Sequence, residues 1–172
     1  MKDTILVDGY NVVNAWPELI SLKANLEQAR DRLVDRMACY GAFNNLKVVV
    51  VFDAQAVLGV SSCQKISDDL EIIYTGETET ADSYIEKLVY DLVRRQRKTV
   101  YVVTSDWAEQ LAILGTGAYR ISARELLENL KKMDKLIAEG FTDSTLTYRR
   151  HELGNRLSSE VLKQLDEIRR KS

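Results

Sequence analysis

The sequence predicts a three-layer α/β/α sandwich on a mainly parallel sheet of about five strands, and three observations predict it. Apolar, strand-forming runs alternate with stretches of helical periodicity up to about residue 140. One run holds the consecutive valines Val48, Val49, Val50 and Val51, which asks for burial on both faces and therefore for helices above and below a parallel sheet. Carboxylates follow these runs, at the strand ends where open α/β sheets place their ligands.

Taken in order, residues 3–8 read as the first strand, closing on Asp8-Gly9-Tyr10-Asn11. Val12, Val13, Ala15 and Trp16 continue apolar until Pro17 breaks the pattern. From about 25 to 40, Leu26, Ala29, Leu33, Met37 and Tyr40 share one face at helical spacing, as a crossover helix on a sheet would. Leu46 to Phe52 is the second strand and ends in Asp53. Residues 54–69 read as a loop rich in Ser, Gly and Gln. Leu70 to Thr75 is the third strand; its alternation predicts an edge-like position. An acidic turn with Glu77 and Glu79 leads into a helix over about 80–95, with Ala81, Ile85, Leu88, Val89 and Leu92 as its stripe. Residues 99–104 form the fourth strand, and a short helix runs from Asp106 to about Leu114. Residues 118–121 form the fifth strand, and the capping box Ser122-Ala123-Arg124-Glu125 opens a helix to about Glu139.

Residues 141–172 differ from the body at 1–140. They are basic, with Arg149, Arg150, His151, Arg156, Arg169, Arg170 and Lys171. The stripe Val161, Leu162, Leu165 and Ile168 predicts a last helix packed on the same domain, after an arm or exposed loop.

Composition excludes several classes. Of 172 residues, 45% are hydrophobic and 29% charged, in keeping with a soluble globular domain. A formal charge of −2 gives no global attraction to nucleic acid or membrane, so a polyanionic partner must be met by local patches. No apolar run approaches membrane-spanning length. Cys39 reads as a core residue and Cys63 as a free loop thiol; with no metal-ligand spacing between them, a reducing cytoplasm is the expected setting.

Parallel topology puts Asp8, Asp82 and Asp106 on one sheet edge, with Asp53 adjacent if the first two strands are neighbours. Taken singly, each has a plainer reading: Asp8-Gly9 as a turn, Asp53 as the cap of the loop it opens, Asp82 as a helix-dipole partner, Asp106 as an N-cap with Glu109. Together, several carboxylates in one cleft repel unless a cation resides there. Oxygen ligands select Mg²⁺ or Mn²⁺, and a single histidine leaves no His/Cys zinc site. A carboxylate-held ion in a basic-rimmed cleft is equipment for phosphodiester hydrolysis. Glu86, four residues from Asp82, reads as a supporting ligand or as a solvated side chain. Asn11, Thr104 and Ser105 read either as phosphate contacts or as turn and cap residues. Tyr10 and Trp107 read as base-stacking rings or as packing. Gly9 reads as a position that lets the backbone turn close to a phosphate.

Asp8-Gly9-Tyr10-Asn11 after the first strand, Thr80-Ala81-Asp82 opening a helix, and Thr104-Ser105-Asp106 after a later strand resemble the NYN branch of the PIN-like nucleases, and within it the YacP-like bacterial family. The resemblance covers about residues 1–140. It implies a PIN-like fold with sheet order 3-2-1-4-5 and a divalent-metal-dependent endoribonuclease. It further implies that Asp8, Asp82 and Asp106 are the acidic triad holding Mg²⁺ or Mn²⁺, with Asp53 and Glu86 less firmly assigned, and that Asn11 is the family's asparagine. It also implies cleavage of mRNA on the translating ribosome. Arg94, Arg95, Arg97 and Lys98 and the tail with Arg149 and Arg150 are candidate contacts, although solvated helix ends explain the first cluster equally well. Two rivals remain: a non-catalytic RNA- or ribosome-binding module, and a receiver-like phosphoacceptor domain using Asp53. The receiver lacks its expected second acidic residue at the first strand and its Lys-Pro after the last.

Overall fold

The structure, a computed structural model, describes residues 2–53, 62–105 and 117–139. Six strands form one sheet: β1 (Thr4–Asp8), β2 (Lys47–Phe52), β3 (Ser62–Ser67), β4 (Leu70–Tyr74), β5 (Val100–Val103) and β6 (Tyr119–Ile121). Five described helices flank it: α1 (Gly9–Ala15), α2 (Pro17–Ile20), α3 (Leu26–Asn44), α4 (Ala81–Tyr90) and α5 (Ala123–Ala138). The strand order is β3-β4-β2-β1-β5-β6, with every pairing parallel except β3 with β4. Without β3, that is the expected order of the five predicted strands.

β1 is central and fully buried. Alternation sends its side chains to two cores. Ile5 and Val7, with Val48, Val50, Phe52, Ile72 and Val103, pack under α1, α2, α3 and α5. Leu6, with Val49, Val51, Ile73 and Val102, packs under α4 through Ala81, Ile85 and Val89. The valine run is thus shared between both faces, as its composition required. Trp16 ties α1 to the start of α5: it is buried, and its Nε1–H donates to the Ala123 carbonyl at 2.7 Å.

Four expectations need correction. Residues 62–67, expected as loop, form β3; it turns back onto β4 through the two residues Asp68 and Asp69. β4 is therefore an inner strand, and β3 takes the edge. The turn after β1 is a helix, since α1 starts at Gly9 with Asp8 as its N-cap. Cys39 is exposed on α3 and is not a core residue; Cys63 is also exposed, and both are free thiols.

The helix over 80–95 forms as α4, capped by Thr80, and then widens into a π-type turn over Asp91–Arg95. The capping box at Ser122 and Glu125 is present in both directions. Among the described residues no helix is long and apolar enough to cross a membrane. The expected helix at 106–114 and the C-terminal arm and helix lie outside the described residues.

Candidate active site

Asp8 ends the central strand. It pairs in register with Val51, and both follow the parity of Leu6 and Val49, which face α4. Asp53, two residues beyond Val51, has the same parity. Asp82 lies in the first turn of α4, the helix covering that face, and is exposed. Asp82 and Asp53 both act on Asp8 by their charge, so three carboxylates from different parts of the chain lie near one sheet edge.

Their charges act on one another. Asp8 is only 9% exposed, and burial is the main cause that pushes its carboxyl up to about 6. The Asn11 backbone N–H, donating to Asp8 Oδ1 at 3.0 Å, opposes this. The negative charges of Asp82 and then Asp53 raise it further. Asp8 is thus an N-cap whose charge burial and like-charged neighbours oppose.

Asn11 has a second task. Its Oδ1 accepts the Ser105 backbone N–H at 3.0 Å, joining the first turn of α1 to the end of β5. Ser105 Oγ in turn accepts the Ala123 N–H at 3.4 Å, which braces the start of α5. Among the described residues the Asn11 Nδ2 has no partner, and Ser105 is exposed. Thr104 is fully buried and its N–H donates to the Ile121 carbonyl, so it anchors Ser105 from beneath and offers no surface to a phosphate. Gly9 is needed for packing: a Cβ there would meet the Phe52 ring at 2.3 Å.

Other expected residues are dispersed. Glu79 pairs with Lys87 at 2.6 Å on the surface. Glu86 sits on the outer face of α4, lining a shallow groove with Ser83, Lys87 and Tyr90. Arg95 pairs with Asp91 at 3.2 Å, so the 94–98 cluster is partly neutralised. Asp106, Trp107, Arg149, Arg150 and His151 lie outside the described residues. Sequence reading missed the Asn11–Ser105–Ala123 relay, for which no local pattern exists. It also missed Arg30, which reaches the Tyr10 hydroxyl at 3.4 Å.

Among the described residues no group of three His, Cys, Asp or Glu side chains is close enough to hold an ion by itself. The donor chemistry still fits a hard divalent ion. The donors here are oxygens only, and the Asp8 charge is one that a neighbouring cation would relieve. Asp106 follows Ser105 directly in the chain, and Ser105 is bonded to the turn that carries Asp8 and Asn11.

Carboxylates at the carboxyl edge of a mostly parallel sheet mark the end where open α/β domains bind their ligands. The chain belongs to the YacP-like NYN domain family, whose model matches residues 5–170. That match runs past the expected limit near residue 140 and takes in the basic C-terminal segment. The chain is 43% identical over 169 residues to the uncharacterized protein YacP of Bacillus subtilis (strain 168), covering 98% of this chain and 97% of that one. It is also similar to the crystal structure of Rae1 (YacP) from Bacillus subtilis, with a TM-score of 0.69 and 42% identity over 98% of this chain and 95% of that one. A mutant of the same protein gives a TM-score of 0.68 and 38% identity over 96% and 99%. Family membership points to nuclease-type, RNA-related function, and the receiver-like reading falls with it.

Proposed function

We propose that the chain is a divalent-metal-dependent endoribonuclease, a hydrolase of RNA phosphodiester bonds. The observation that carries this reading is Asp8: a buried carboxylate at the end of the central strand, pushed up to about 6 by burial with Asp82 and Asp53 adding to it. Asp8, Asp82 and Asp106 hold Mg²⁺ or Mn²⁺, and Asp53 assists. When bound, the ion supplies Lewis acidity, lowering the pKa of water and offsetting charge that develops on the phosphoryl oxygens. Asp8 is kept in place by the Asn11 N–H, and the same asparagine ties it to Ser105. The Asn11 Nδ2 and the exposed Ser105 position the scissile phosphate, and the products carry a 3′-hydroxyl and a 5′-phosphate. Arg149 and Arg150 add substrate contacts.

The natural substrate is mRNA, cut in association with the translating ribosome in the cytoplasm. This finer part is supported by the family resemblance and by a net charge of −2, which favours a docking surface over tight generic RNA binding. The test is cleavage of single-stranded RNA and of mRNA on translating ribosomes by the full chain, with Mg²⁺ or Mn²⁺. Replacing Asp8 and Asp82 by Asn abolishes cleavage while RNA binding survives. Unchanged cleavage in that double variant removes the mechanism. Binding by the parent without any cleavage leaves a non-catalytic RNA-binding module.

A further inference from the structure

We propose that Arg30, held by Tyr10 and Tyr74 on the α3 side of the sheet's carboxyl end, is a subsite for a backbone phosphate of the RNA strand. It deepens the ribonuclease reading and rests on it for the identity of the ligand.

Arg30 is half-buried, near the start of α3. Its guanidinium carbon lies 5.7 Å from the centre of the Tyr74 ring, and its Nη1 donates to the Tyr10 hydroxyl at 3.4 Å. Both tyrosines are locked on Phe52: Tyr10 edge-on at 5.3 Å, Tyr74 stacked at 5.6 Å. The Phe52 ring in turn fills the place that a Cβ on Gly9 would take. An unbroken set of contacts therefore fixes the guanidinium to the turn that carries Asp8.

The neighbouring arginines of α3 have different partners. Arg32 pairs with Glu18 and Arg36 with Asp134, each at 2.7 Å. Among the described residues Arg30 has no carboxylate partner. A guanidinium carries five N–H donors in a rigid fork suited to phosphate. One of them is used by Tyr10, and no Arg30 nitrogen is buried without a partner. The remaining donors face water, in a side chain whose rotamer freedom is already restricted. Asp8 and its like-charged neighbours repel a polyanion, so a fixed cation at the same end of the sheet, on its other face, offers a phosphate of the strand compensation.

The test uses the full chain with Asp8→Asn to block cleavage. Binding of a short fluorescein-labelled single-stranded RNA is followed by anisotropy across a salt series, with melting temperature as a check of the fold. Adding Arg30→Gln weakens binding roughly tenfold and lowers the salt slope by roughly one phosphate contact. Arg30→Lys keeps the charge but loses the fork and falls between. Tyr74→Phe binds like the parent, whereas Tyr74→Leu removes the ring that holds the guanidinium and weakens binding. In the cleaving chain, Arg30→Lys raises KM and leaves kcat unchanged. Folded Arg30→Gln, or folded Arg30→Lys if the first does not fold, with the parent's affinity and salt slope overturns the subsite alone. Arg30-dependent binding in a chain that never cleaves RNA sustains the subsite and removes the nuclease reading. A parent that binds no RNA overturns both.

Discussion

On the α3 side of the sheet, Trp16, Leu33, Met37, Tyr40 and Phe52 are closed off from water, and aromatic packing continues to the carboxyl edge through Tyr10 and Tyr74. On the α4 side the core is smaller, built from Leu6, Val49, Val51, Ile85 and Val89. It ends at the same edge in carboxylates, with Asp8 buried and the charges of Asp82 and Asp53 acting on it. The same strands supply both faces, because residues of opposite parity point opposite ways. Stability and chemistry are thereby separated: apolar burial on one face holds in place a charge arrangement on the other that works against folding.

The largest effect expected is on chemistry. Asp82→Asn lowers RNA cleavage by roughly a thousandfold, or about 4 kcal/mol of barrier. Thermal melting of the variant stays near the parent's, because the side chain is exposed. If cleavage falls only as far as folding does, the division between the two faces is wrong. Next come the cores. Leu33→Ala and Ile85→Ala each remove a fully buried side chain, one from either face. Each should cost about 2–5 kcal/mol in urea unfolding. Leu33→Ala should leave the metal dependence of cleavage intact, whereas Ile85→Ala, on the helix that carries Asp82, should weaken it.

The pH response follows. The Asp8 carboxyl is raised in the fold from its ordinary 3.8 to about 6, so folding favours its protonated form. The stabilisation is complete below the unfolded value and is lost as pH rises through the folded one. For the metal-free chain this is up to about 3 kcal/mol between roughly pH 4 and pH 7. Asp8→Asn keeps the helix cap but removes that loss, so the difference between parent and variant in urea melts isolates it from the oppositely directed contribution of Asp134, whose carboxyl Arg36 holds low. Asp82→Asn should lower the Asp8 value, which a carboxyl NMR titration reads directly. The smallest effect is local: Gly9→Ala places a methyl against the Phe52 ring and should cost about 1–3 kcal/mol. Equal stability in that variant would show that the edge is softer than its packing implies.

Much of this fold was legible because β1, β2 and β5 are buried on both faces, and their composition says so. β3 was not. All six of its residues are exposed, so no apolar alternation marks it; pairing with β4 defines it. α1 was missed because Asp8-Gly9 reads as a turn, and the close approach of Phe52 that selects glycine lies 43 residues away in sequence. For the site, the position of Asp8 at a strand end was readable, as was the capped start of α4 at Thr80. The Asn11 bond to Ser105 and the Arg30 bond to Tyr10 join residues 94 and 20 apart, and only the fold brings them together.

The metal assignment is tested by a calorimetric titration of the metal-free full chain with Mn²⁺ near pH 6, where about half of Asp8 is protonated, parent against Asp8→Asn. Binding in the parent should release protons as Asp8 ionises, weaken as pH falls below about 6, and be lost or reduced at least tenfold in the variant. Equal Mn²⁺ affinity in parent and Asp8→Asn would contradict the assignment of this edge as a metal site.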